Sequence, residues 1–212
     1  MPTTAKICGL STADTLAAAI AGGASHVGFV FFPASPRNVL PAQAAALAAQ
    51  VPDGIGRVGV VVDADNALLD AAIAAGGLTA LQLHGQETPE RAAALRARHG
   101  VEVWKAIAVK RSADLDEARR YHGAVDRILF DARTPPGALP GGMGARFDWT
   151  MLRGYRHLTP WALSGGLDAA SLADAVATTG ATLVDVSSGV ESAPGIKDVD
   201  KIAAFLQAVH RI

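Results

Sequence analysis

The sequence predicts an α/β fold, a closed (β/α)₈ barrel of the TIM type at its compact limit. Eight short apolar runs alternate with helix-length segments through short connections. The 212 residues suit one barrel domain spanning 1–212. Half of the residues are hydrophobic, mostly alanine and valine with 5 % aromatics, which fits helices packed closely on parallel strands and argues against a large aromatic core. The alternative is an open doubly wound sheet, but Gly9 opens no G-x-G-x-x-G fingerprint after the first strand.

Lys6-Ile7-Cys8 reads as the first strand, and Ser11 to Ala21 as a helix with a hydroxyl cap, Asp14 in its first turn and Gly22-Gly23 to stop it. His26 to Phe32 is an apolar run too short for a typical helix and closed by Pro33; a loop through Arg37 leads to a helix over Pro41 to Gln50 with proline at its start. Arg57 to Val62 is a valine-rich third strand, and Asp63 to Asn66 caps a helix running to about Ala75. Thr79 to Leu83 is the fourth strand, and Thr88-Pro89-Glu90 opens the next helix, which ends before Gly100. Val101 to Val109 with Ser112 to Tyr121 makes the fifth unit, and Arg127 to Asp131 is the sixth strand. Ala132 to Arg146 is an irregular stretch of a length that is usually functional. A helix around Phe147 to Gly154 follows, then a strand over Trp161 to Ser164, a helix over Asp168 to Thr178, a strand over Leu183 to Ser187 and a closing helix over Asp198 to His210.

The formal charge of -1, with acids and bases interleaved, supplies no basic stripe for nucleic acid and no polybasic tail for a membrane. The one cysteine excludes an internal disulfide and fits a reducing compartment. The N-terminus has no signal pattern, and no apolar run approaches the roughly 18 residues of a membrane span, so a cytoplasmic protein is expected.

In a barrel the functional side chains stand at the C-terminal ends of the strands. Those positions hold Cys8, Arg37, His84, Asp131, Ser164-Gly165-Gly166 and Ser187-Ser188-Gly189. A cysteine at a strand end is by itself most often simply core, and Asp131 is equally well explained as a helix-capping or loop-ordering aspartate. Side chains alternate along a strand, so an inward Cys8 implies an inward Lys6, which needs a partner. Asp185 on the last strand, with the parity of Ser187, is the candidate. The glycine turns Gly165-Gly166 and Ser188-Gly189 follow the seventh and eighth strands, where barrels commonly bind phosphate through backbone N–H groups. The other histidines have no metal-ligand spacing, so no metal is expected.

Ordered motifs then identify a resemblance over essentially the whole chain. They are Lys6-Ile7-Cys8-Gly9, Gly28-Phe29-Val30-Phe31 leading to Ser35-Pro36-Arg37, Gln82-Leu83-His84-Gly85, and Gly141-Gly142-Met143-Gly144 ahead of Phe147-Asp148-Trp149. Leu163 to Leu167, Val184 to Glu191 and Pro194 to Asp198 complete the set. Together they resemble the phosphoribosylanthranilate isomerases of tryptophan biosynthesis. The resemblance implies an Amadori rearrangement without cofactor or metal, with Cys8 as general base and Asp131 as general acid. It also implies Arg37 at the anthranilate part of the substrate and phosphate at Gly165, Gly166, Ser188 and Gly189. His84 and Asp185 are expected beside the substrate, His84 as a hydrogen-bonding group more than a catalyst. The implied partner is a small phosphosugar, and the chain is expected to be a monomer or homodimer.

Met143 stands where the family more often has a small hydroxyl residue, and Ala145-Arg146 replaces a lysine-containing pair. Competing readings are a histidine-pathway aminoaldose isomerase, which would carry aspartates in both roles, a non-catalytic phosphosugar binder, and a thiol redox sensor. Cys8 in the first position argues against the first, and retention of both Cys8 and Asp131 against the second. A redox sensor should keep Cys8 exposed.

Overall fold

The computed structural model describes residues 2–135 and 141–212. Eight parallel strands close into a barrel: β1 (Thr4–Cys8), β2 (His26–Phe31), β3 (Gly56–Val61), β4 (Ala80–Leu83), β5 (Glu102–Val109), β6 (Arg127–Ala132), β7 (Trp161–Leu163) and β8 (Leu183–Val186). Closure comes from β1 pairing with β8, with Lys6 opposite Asp185. The helices are α1 (Ala13–Ala21), α2 (Pro41–Ala48), α3 (Asn66–Gly76), α4 (Pro89–His99), α5 (Leu115–Arg119), α6 (Leu172–Thr179) and α7 (Val199–Val209).

Local chemistry explains the helix starts. The side chains of Thr12, Asp65, Thr88 and Asp198 each accept a hydrogen bond from a first-turn backbone N–H, and Pro41 and Pro89 occupy first-turn positions where the missing N–H costs nothing.

Four segments depart from the sequence expectation. The helix expected around Phe147 to Gly154 is only a 3₁₀ turn, Trp149–Leu152, because Asp148 caps Thr150 and Gly154 turns left-handed at φ +68°, leaving too few residues for an α-helix. α6 starts at Leu172 and not at Asp168, since Asp168 and Ser171 bind each other's backbone N–H groups and close a turn first. The fifth helix is split into a 3₁₀ turn, Ser112–Asp114, and α5. A hairpin, β9 (Glu191–Ala193) and β10 (Ile196–Lys197), follows β8 where no strand was expected. Residues 136–140 of the long stretch 132–146 lie outside the described residues.

Outward strand residues such as Ile7, Phe29, Leu81 and Phe130 pack against the helices. Inside, the floor is a layer of Val58, Ala80, Trp104, Ala106, Leu129, Ala162 and Leu183. Trp104 fills it alone among smaller side chains, so one aromatic plugs the barrel although the composition argues against an aromatic core. His26 meets that ring edge-on at 5.2 Å, and the Arg127 guanidinium lies 5.1 Å from its centre. Above the floor the interior turns polar, with Lys6, Gln82 and Asp185 all buried.

Candidate active site

Cys8 ends β1 with 6 % of its surface exposed, on the same barrel face as Lys6 beneath it. Lys6 Nζ donates to Asp185 Oδ1 at 2.8 Å, and Ser164 Oγ donates to Asp185 Oδ2 at 3.2 Å. Lys6 thus has the partner its inward position demands. Burial alone would lower the Lys6 pKa, but the Asp185 carboxylate holds it above the ordinary lysine range. Burial pushes the Cys8 thiol up, while the positive charge of Lys6, with a smaller effect from Lys197, pulls in the opposite direction. Gly28 makes the room: a Cβ there would stand 3.1 Å from both Cys8 Sγ and Lys6 Cε.

Asp131 is the inward residue near the end of β6 and is also 6 % exposed. Its Oδ1 accepts from the Ala132 backbone N–H at 2.8 Å, and its Oδ2 lies 3.2 Å from His84 Nε2. The other ring nitrogen, Nδ1, lies 3.0 Å from the Gln82 amide nitrogen. Ala108 faces Asp131 in register on β5 and leaves space before the carboxylate. A cleft of about 1490 Å³ opens on this side, with His84, Ala108 and Asp131 in its wall.

Arg37, expected as a loop cation, is 6 % exposed and firmly held. Its Nε and Nη2 each donate to Glu191 at 2.7 Å, and Nη2 also donates to the Gly142 carbonyl at 2.8 Å. Lys197 Nζ reaches Glu191 at 2.7 Å and the Ser187 carbonyl at 2.9 Å. Burial would raise the Glu191 carboxyl, but the hydrogen bonds from Arg37 and Lys197 hold it below its ordinary value. Burial draws the Lys197 ammonium below the usual lysine range despite Glu191.

Gly165 and Gly166 turn left-handed at φ +87° and +67°, and a 3₁₀ turn, Ser188–Val190, follows β8. Among the described residues the N–H groups of Gly165, Gly166 and Ser188 donate to no protein acceptor. They edge a small cavity that Asp131 and Asp185 also line, beneath the chain at 141–145. That chain lies close over the mouth: a Cβ at Gly142 would meet Arg37 Nη1, and one at Gly166 would stand 2.8 Å from the Ala145 carbonyl. The Gly189 backbone abuts the Leu167 carbonyl, so this glycine is needed for the two turns to dock. No lysine or arginine lies within either turn, but Arg146 donates to the Gly166 carbonyl at 2.9 Å and stacks 4.9 Å from the Trp149 ring centre.

The sequence-derived positions Cys8, Arg37, His84, Asp131, Gly165, Gly166, Ser188 and Gly189 therefore share the C-terminal mouth, and Asp185 lies just below. Asp185 was expected beside the substrate, yet both of its oxygens are engaged by Lys6 and Ser164. Glu191, Lys197 and Gln82 received no role from the sequence. For the first two a signal existed: Pro194-Gly195 is a turn between two short segments, and the resulting hairpin brings Lys197 onto Glu191. Among the described residues there is no cluster of three or more His, Cys, Asp or Glu arranged to hold a metal, and no helix is long and apolar enough to cross a membrane.

Residues 5–208 match the family model described as N-(5'-phosphoribosyl)anthranilate (PRA) isomerase. The N-(5'-phosphoribosyl)anthranilate isomerase of Zymomonas mobilis subsp. pomaceae is 61 % identical over 206 residues, covering 97 % of each chain. That of Rhodospirillum centenum is 57 % identical over 208 residues, again covering 97 % of each. Among solved structures, phosphoribosyl anthranilate isomerase from Thermotoga maritima superposes with a TM-score of 0.88 at 33 % identity, covering 99 % of this chain and 100 % of that one. A phosphoribosyl anthranilate isomerase in complex with reduced 1-(o-carboxyphenylamino)-1-deoxyribulose 5-phosphate gives 0.86 at 32 %, with the same coverage. A further structure, of monomers generated from the Thermotoga maritima enzyme, describes that enzyme as dimeric.

Proposed function

The chain belongs to the N-(5'-phosphoribosyl)anthranilate isomerase family of tryptophan biosynthesis, and from that premise we propose that Cys8 is its general base and Asp131 its general acid. The reaction is the Amadori rearrangement of N-(5-phosphoribosyl)anthranilate to 1-(2-carboxyphenylamino)-1-deoxyribulose 5-phosphate. A proton from Asp131 goes to the ribose ring oxygen, the C1–O bond breaks, and the anthranilate nitrogen lone pair forms a cationic imine at C1. The Cys8 thiolate then takes the C2 proton, and the electron pair of that bond moves to C1–C2 and neutralises the imine as an enolamine. Loss of the 2-hydroxyl proton and protonation at C1 give the ketose, so atoms and charge balance with no cofactor.

The observation that carries this reading is the pair of buried groups at the ends of β1 and β6, each built into its own supporting network. Burial favours the neutral thiol in the free enzyme, so the base needs help to ionise. The charge of Lys6 and the cationic imine both favour the thiolate when it is required.

Arg37 would take the anthranilate carboxylate through the Nη1 side left clear of Glu191, and His84 would border the ring-opening end beside Asp131. The N–H groups around Gly165, Gly166, Ser188 and Gly189 would hold the phosphate. Asp185 would act on the substrate from below, through Lys6 and Ser164. The enzyme would work as a monomer or homodimer on this small phosphosugar, without nucleic-acid or membrane partners. Freshly made phosphoribosylanthranilate added to the protein should lose its anthranilate fluorescence at a rate proportional to enzyme; no loss at high enzyme concentration would remove the reading.

A further inference from the structure

Gln82 lies on β4 two residues before His84, facing the same interior and 1 % exposed. Its amide nitrogen is 3.0 Å from His84 Nδ1, yet its carbonyl Oε1 is buried with no hydrogen-bond partner among the described residues. A buried carbonyl without a partner forfeits its hydrogen bond to water, so an amide here needs a reason that an apolar side chain of similar length would not satisfy.

The reason lies in the ambivalence of the amide, which carries a donor and an acceptor on two ends that a half-turn exchanges. With the nitrogen toward Nδ1, the ring proton sits on Nε2 and is donated to an ionised Asp131. With the oxygen toward Nδ1, the ring proton sits on Nδ1, and Nε2 becomes an acceptor suited only to a protonated Asp131. Asp131 Oδ1 is already occupied by the Ala132 N–H, so the acid's proton belongs on Oδ2, the oxygen facing His84. The contact is covered: a Cβ on Gly141 would stand 2.8 Å from His84 Nε2 and 2.9 Å from Asp131 Oδ2.

We propose that Gln82 is a positioning residue for the acid, its amide reversing with the protonation of Asp131 so that His84 keeps a hydrogen bond on Oδ2 in both states. The inference rests on the reading of Asp131 as general acid. The ring proton passes between the two nitrogens through solvent, which reaches the His84 side chain at its 14 % exposure. The other groups facing Asp131 are Ala108 from β5 and Gly165 from the turn after β7. Asp185 from β8 lines the same small cavity but is paired with Lys6. His84 is therefore the titratable side chain in contact with Oδ2.

Nitrogen-15 NMR of the histidine-labelled full chain, with His84→Asn to assign the signal, reads the ring tautomer directly. The proton should move from Nδ1 to Nε2 as pH rises through the alkaline limb of kcat. Gln82→Met should lower kcat about tenfold with KM within about twofold, and move that limb to lower pH, because an unpaired Nδ1–H disfavours the protonated acid. Gln82→Glu, an acceptor at both ends, should keep the proton on Nδ1 across the range. A wild-type tautomer that does not change with pH would overturn the inference even if the variants fail to fold, as would a wild-type pH profile in Gln82→Met. Asp131→Asn separates the two readings. Full activity there removes the acid itself, whereas lost activity with an invariant His84 tautomer in the wild type removes only the role of Gln82.

Discussion

Lys6 and Asp185 face each other across the seam where the barrel closes, Nζ to Oδ1 at 2.8 Å, with side-chain exposures of 0 % and 5 %. Taking both charges out of water is costly, and their attraction repays it only with good geometry, which Ser164 improves by occupying the second carboxylate oxygen. Lys6→Met or Asp185→Leu alone should therefore destabilise the fold by about 3–5 kcal/mol, since each leaves one buried charge unpaired. The double variant should cost less than either single one. Urea unfolding checks this, and two single variants of wild-type stability would contradict it.

The same pair bears on Cys8, the proposed base. Lys6 is the strongest influence pulling the Cys8 thiol down against burial, so in Lys6→Met the thiol should ionise at a higher pH than in the wild type. The pH dependence of Cys8 alkylation reads this. An unchanged or lower midpoint would show that Lys6 does not act on the thiol.

At the other end of the barrel, burial, reinforced by Arg127, lowers the His26 pKa from its ordinary 6.5 to about 4. Between those values the unfolded chain binds the proton that the folded chain refuses, so stability present above pH 6.5 is lost as pH falls toward 4. The loss from this group is no more than roughly 3 kcal/mol. Thermal unfolding of His26→Gln should depend less steeply on pH over that window, and an equal slope would mean that His26 does not titrate there.

The carboxylate-reading role proposed for Arg37 gains a fixed geometry that a solvated loop cation would lack, because Glu191 holds the guanidinium along one edge. Arg37→Ala should cost roughly ten- to a hundredfold in kcat/KM for the carboxylated substrate, the worth of a charged hydrogen bond of about 1.5–3 kcal/mol. An aniline analogue without the carboxylate should be affected much less. Equal losses on both would make Arg37 a brace for Glu191 and Gly142 and not a reader of the carboxylate.

The phosphate site proposed at the two glycine turns is tested by Gly166→Val, which both leaves the left-handed conformation that glycine permits and drives a branched side chain toward the Ala145 carbonyl. KM should rise strongly. Normal binding of the phosphate-bearing product would put the site elsewhere.

Much of this was legible in the sequence because barrel rules turn strand ends into a list. Eight short apolar runs were enough to bring Cys8, His84, Asp131 and the two glycine turns to one mouth, and strand parity was enough to pair Lys6 with Asp185. What stayed hidden depends on tertiary contact. Glu191 and Lys197 look like surface charges until the hairpin buries them against Arg37, and Gln82 looks like core until its orphaned carbonyl is seen beside His84. The turns at Trp149–Leu152 and Asp168 were missed for a local reason, since side-chain capping there competes with the helix the spacing suggested.

The division of labour between thiol and carboxylate is tested most directly by turnover of phosphoribosylanthranilate, followed by fluorescence, in Cys8→Ser and Asp131→Asn. Each should lower kcat by at least about a hundredfold, the usual floor for losing a general acid or base, with a smaller change in KM. Near-native kcat in either folded variant would contradict that residue's role.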